Sequence, residues 1–107
     1  MKIFSNKNRD ELNVEVKGRM DATTASKFEA EVSELLGQGE KSVIFDLGSL
    51  DYISSAGLRS ILTVAKKIES NNGTLTFANL RGMVQEVFTI SGLNSIFQVN
   101  NHNSNAK

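Results

Sequence analysis

The sequence predicts a single α/β domain: a mixed, largely parallel sheet of about five strands with packed helices. Three observations predict it. Strand-like and helix-like stretches alternate along most of the chain, the order that crossover helices between parallel strands produce. One interior run carries Val43, Ile44 and Phe45 in succession, as expected for a strand covered on both faces. The length of 107 residues suits one compact domain with one core.

"KIFS" and "ELNVEVKG" flank the turn-forming "NKNRD" and predict an antiparallel hairpin. Leu12, Val14 and Val16 alternate with Glu11, Asn13, Glu15 and Lys17, so one face of the second strand should be wet. Ala25, Phe28, Val32, Leu35 and Leu36 then recur at helical spacing, with Asp21 placed to cap this first helix and Gly37 to end it. "SVIFDL", Ser42 to Leu47, is the predicted central strand. Leu58, Ile61, Leu62, Ala65 and Ile68 mark the core face of a second helix, which the turn Ser70 to Gly73 ends. "TLTFANL" reads as another buried strand, Val84, Val87 and Phe88 as a shorter helix closing near Gly92, and "SIFQV" as an edge strand. The domain is expected over residues 1–99 and a polar, disordered tail over 100–107.

Composition narrows the function. Twelve Lys and Arg balance twelve Asp and Glu, so there is no global basic field of the kind that holds nucleic acid. The chain has no cysteine, which excludes disulfides, thiolate metal sites and cysteine nucleophiles. No run approaches the roughly 18 apolar residues of a membrane span, and "MKIFSNKNRDE" turns polar too early for a secretory signal. The expected location is the cytoplasm, without direct membrane insertion.

In open parallel sheets the working edge lies at the carboxyl ends of the strands. Two loops meet that description, "GRMDAT" and "GSLDYISSAG", and they are expected to be neighbours. On a wheel turning about 100° per residue, Ser54 falls on the core-facing side of the second helix. Ser55 falls on the flank with Arg59 and Lys66, where its hydroxyl meets solvent. A helix start shifted by one or two residues exchanges the two serines. Phosphate on Ser55 would add about −1.5 to −2 charges at a helix N-terminus, which tolerates them, while a partner resting there would be repelled. Ala56 and Gly57 would let that partner approach closely. Read from the residues alone, "SSAG" is more simply a helix cap with Gly57 packed on the sheet.

"FDLGSLDYISSAGLRSIL" resembles the signature region of STAS domains, particularly the single-domain anti-sigma factor antagonists (anti-anti-sigma factors) of bacteria. "VKGRMDATTASKFEAEV" and "VQEVFTISGLNSIFQV" are similar to the family's opening and closing segments, so the resemblance runs from about Val14 to Val99. It implies a partner-switching phosphoprotein rather than an enzyme. Unphosphorylated, such a protein binds an anti-sigma factor that is also a serine kinase and so releases a sigma factor. Phosphorylation by that kinase inactivates it, and a PP2C-type phosphatase restores it. By motif position the acceptor is Ser55, with Asp21 near it and Asp21, Ser54, Ser55, Ala56, Gly57 and Arg59 forming the partner-binding surface. Where many members carry aspartate before the acceptor, this chain has Ser54, an alternative acceptor. STAS domains also serve as subunits of transport or signalling complexes, which is the second reading: a binding scaffold that is not phosphorylated.

Other motifs carry less. "GQGEKS" (37–42) interrupts a phosphate-loop core with Glu40 and leads into a strand, so a helix-ending turn is expected. Asn72 in "NGT" reads as a turn, and His102 lies in the tail, leaving no Ser-His-Asp arrangement. Asp21, Asp46 and Asp51 read as cap, strand end and turn rather than a metal site. No cofactor is expected.

Overall fold

A computed structural model describes residues 1–37 and 41–100. The order is β1 (Lys2–Asn8), β2 (Glu11–Met20), α1 (Ala25–Leu36), β3 (Ser42–Asp46), β4 (Leu50–Ile53), α2 (Ser55–Ser70), β5 (Thr74–Ala78), α3 (Gly82–Ile90), α4 (Leu93–Ile96) and β6 (Gln98–Asn100). The sheet runs β1-β2-β3-β5-β6, with β4 paired to β2 off this path. Among the described residues only the β1–β2 hairpin is antiparallel; β2–β3, β3–β5, β5–β6 and β2–β4 are parallel.

The predicted mixed sheet is therefore present, with one strand more than expected. The added strand is β4, which lies within the predicted loop "GSLDYISSAG". Its four residues are too few to establish a period of two, and what makes them a strand is pairing with β2, more than 30 residues earlier. "SIFQV" also divides: Ser95 and Ile96 close the short helix α4, and the edge strand begins at Gln98 and extends to Asn100. Residues 38–40 of the "GQGEKS" turn and 101–107 of the expected tail, with His102, lie outside the described residues.

β3 corrects a further expectation. Val43 and Phe45 are buried, but Ser42, Ile44 and Asp46 are only half-buried. Leu12, Val14, Val16, Leu75 and Phe77 face the same way as Val43 and Phe45, and these residues join the apolar stripes of the helices in one core. The opposite face of the sheet carries no share of that core, so its side chains keep partial access to water.

Phe77 centres the core. Its ring stands 5.9 Å from Phe45, 5.0 Å from Phe88 and 5.7 Å from Phe97, and Phe45 in turn lies 5.9 Å from Phe28. One chain of offset and edge-on contacts thus ties α1, β3, β5 and α3 together. The core stripe of α2 is Ile61, Val64, Ala65 and Ile68, with Leu58 and Leu62 half-buried at its margin. Ser60, the buried polar residue on that face, donates its hydroxyl proton to Glu29 Oε2 at 2.6 Å, with the Ala25 carbonyl oxygen 3.3 Å away as a second acceptor within reach, so the hydroxyl is satisfied where α2 crosses α1.

Candidate functional site

The site is assembled by a change of partner along β2. Glu11 to Glu15 pair with β3, while Gly18 to Met20 pair with β4, and the register shifts between Gly18 and Arg19. Gly18 has φ +102°, a conformation L side chains rarely adopt, and its N–H donates to the Ser49 carbonyl at 3.0 Å. The strand bends there and leaves β3 for β4. Because Met20 then pairs with Ile53, the next residues, Asp21 and Ser54, emerge side by side from adjacent parallel strands. The Ser54 N–H donates to the Met20 carbonyl at 2.9 Å. The two loops expected to be neighbours are neighbours.

Ser54 is the N-cap of α2, with extended backbone and its Oγ accepting from the Gly57 N–H at 3.2 Å. It lies outside the helix rather than on its core-facing side, because the helical turn begins one residue later. Ser55, the first residue of α2, is exposed, and its hydroxyl makes no hydrogen bond with the described residues. Ala56 is half-buried, Gly57 buried, and Arg59 exposed one turn beyond Ser55. A Cβ on Gly57 would stand 2.7 Å from the Met20 carbonyl oxygen and 2.9 Å from Met20 Cγ. Glycine is what allows α2 to begin against the end of β2.

Asp21 does not cap α1. The N-cap is Thr24, which makes no side-chain cap bond to the helix. Asp21 instead closes a turn before it: Oδ1 accepts from the Thr23 hydroxyl at 2.7 Å and the Thr23 N–H at 3.0 Å, while the Asp21 N–H donates to Thr24 Oγ1 at 2.9 Å. The Thr23 hydroxyl, then its N–H, hold the carboxyl below its ordinary value of 3.8. Asp46 and Asp51 are not gathered with it. Asp46 Oδ1 accepts from the Gly48 N–H and Asn79 Nδ2, and Asp51 pairs with Arg81 at 3.2 Å. Among the described residues no three His, Cys, Asp or Glu are placed to share a metal ion.

Sequence reasoning missed two supports of this edge. The Arg19 guanidinium stacks over the Tyr52 ring at 4.3 Å, across the paired ends of β2 and β4. Arg81 donates from Nε to the Gly48 carbonyl and from Nη2 to Asp51, joining the start of α3 to the β3–β4 connection. Both depend on β4, which short-range periodicity did not reveal.

A mixed, largely parallel sheet with its helices packed into one core, and α2 opening at the Ser54 cap beside the end of β2, is the architecture of a STAS domain. The family model for the STAS domain matches residues 4–106, and the chain belongs to that family. It is 46% identical over 86 residues to BtrV of Bordetella bronchiseptica, a protein named as an anti-sigma factor antagonist, covering 80% of this chain and 74% of that one. The fold matches a Thermotoga maritima protein described as an anti-sigma factor antagonist with a TM-score of 0.88, at 19% identity, over 94% of this chain and 87% of that one. It also matches the Bacillus cell fate determinant SpoIIAA in its phosphorylated form, with a TM-score of 0.72 at 20% identity over 92% and 90% of the two chains. Membership places the chain among regulatory binding proteins rather than enzymes. No described helix is long and apolar enough to cross a membrane.

Proposed function

We propose that this protein is a cytoplasmic anti-sigma factor antagonist. Unphosphorylated, it binds an anti-sigma factor that is also a serine kinase and releases a sigma factor; phosphorylation at Ser55 switches it off, and a PP2C-type phosphatase resets it. The observation that carries the reading is the division of labour between the two serines. Ser54 is occupied as the helix cap, whereas Ser55 presents an exposed hydroxyl on the first turn of α2, beside the turn that Asp21 closes. The relative named as an anti-sigma factor antagonist and the likeness to SpoIIAA, known in a phosphorylated form, support it.

The chemistry asks little of this chain. The kinase moves the γ-phosphoryl group of ATP onto Ser55 Oγ, ADP leaves, and the hydroxyl proton is lost. The added charge of about −1.5 to −2 sits at the positive end of a 16-residue helix, so folding is preserved. A partner docked over Ser55, Ala56 and Arg59 meets a bulky dianion instead of a hydroxyl, and the interface opens.

The test incubates the protein with anti-sigma factor kinases and ATP, follows intact mass, maps the site and measures binding. One phosphate on Ser55, absent from Ser55→Ala, with loss of kinase binding by Ser55→Asp, is the expected result. Phosphate on Ser54 alone transfers the acceptor role to the cap. Kinase binding that is indifferent to charge at Ser55 refutes the switch and favours a STAS scaffold subunit of a transport or signalling complex.

A further inference from the structure

We infer that the open face of the sheet is a weak, charge-matched interface between two copies of this chain. The strand registers arrange that face in rows. Lys2 and Lys17 pair in the first, Phe4, Glu15 and Asp46 in the second, and Asn6 and Asn13 in the third. A positive row therefore lies beside a negative one, about 7 Å away at two residues of strand rise. None of the four charged residues carries an ion pair among the described residues. Glu15 and Asp46 are cross-strand neighbours of like charge, an arrangement that opposes sheet stability. Phe4 is 49% exposed in the same patch, with Lys17 Nζ 5.7 Å from its ring centre. A groove of about 180 Å³ runs along Phe4, Ser5, Asn6, Asn13, Glu15 and Asp46.

These rows are complementary to themselves. A two-fold axis parallel to the rows and midway between the first two turns one sheet onto another so that the rows exchange. Lys17 then meets Glu15 of the second copy, Glu15 meets its Lys17, and each Lys2 meets a Phe4 ring. Formal neutrality of the whole chain removes any net repulsion between copies. The size of the face sets the strength. That axis overlaps only the first two rows, carried together by β1 and β2, so at about 4.8 Å between strands and about 7 Å between rows the matched contact is on the order of 100–200 Å² per copy, well below the roughly 800 Å² per partner of a stable complex. The dimer is accordingly transient and salt-sensitive, and it uses a surface separate from Ser55.

Sedimentation equilibrium on the full chain tests this, up to about 1 mM protein at low salt. Lys17→Glu and Glu15→Lys each place like charges at both contacts and are expected to weaken self-association at least tenfold. An equimolar mixture restores opposite charges at both contacts and is expected to recover it. Circular dichroism and urea midpoints check folding, and Lys2→Glu at the sheet margin substitutes for a variant that fails to fold. A monomer at every concentration overturns the inference, as does a dimer unaffected by these changes or a mixture no better than its components. If the variants lose kinase binding while the parent never self-associates, the face belongs to that partner and the inference is also overturned.

Discussion

Replacing Gly57 by alanine tests how the site is built. Gly57 is buried in the first turn of α2, and a Cβ there would lie 2.7 Å from the Met20 carbonyl oxygen, 2.9 Å from Met20 Cγ and 3.1 Å from Ile53 Cγ1. Ordinary contact begins near 3.4 Å, so β2 and α2 must separate by roughly 0.7 Å. The nearest obstacle is backbone, which has no rotamer to escape into. Overpacking of this kind costs about 1–3 kcal/mol, and a rigid neighbour places the cost toward the upper end. Alanine recovers up to about 1 kcal/mol of helix propensity, leaving a net loss of about 1–2 kcal/mol. For a domain of this size that lowers Tm by roughly 4–8 °C per kcal/mol. The carbonyl that must retreat also accepts the Ser54 N–H, so, on the function proposed above, the same substitution should weaken binding to the anti-sigma factor beyond the fraction unfolded. Urea titration with an unchanged m-value and a lower midpoint is the expected result. A midpoint equal to or above that of the parent refutes the claim that close approach of α2 to Met20 requires glycine.

Two further substitutions follow from the hydrogen bonds at the site. Ser54→Ala removes the cap on α2 and should cost about 1 kcal/mol, whereas Ser55→Ala, at an exposed position, should stay within about 0.5 kcal/mol; equal urea midpoints for the two would refute the assignment of Ser54 as cap. Asp21 has a folded-state pKa below its ordinary value, so its contribution is present above that value of 3.8 and is lost as pH falls through the lower, folded one. The difference in urea midpoint between the parent and Asp21→Asn should therefore be widest near neutrality and close below pH 3.8; a difference independent of pH would show that the Thr23 bonds do not favour the charged carboxylate.

Local spacing determined much of this protein. The alternation of Leu12, Val14 and Val16 with polar residues marked β2 and its buried face, and the recurrence of Phe28, Val32 and Leu36 marked α1. The same reading found a serine pair opening α2 with Ser55 toward solvent, because capping and helical periodicity act over a few residues. Tertiary structure decided the rest. β4 is a strand because β2 bends at Gly18 and needs a new neighbour, which nothing within Leu50–Ile53 announces. Asp21 reads as the cap of α1, yet Thr24 holds that position and Asp21 instead accepts the Thr23 hydroxyl, a turn that spacing does not distinguish from a cap. Ile44 looked like part of a doubly covered strand, yet the core gathers on the other face of the sheet and leaves it half-buried. Periodicity records which residues share a face; which face is covered, and which distant strand lies alongside, is settled by packing between segments far apart in the chain.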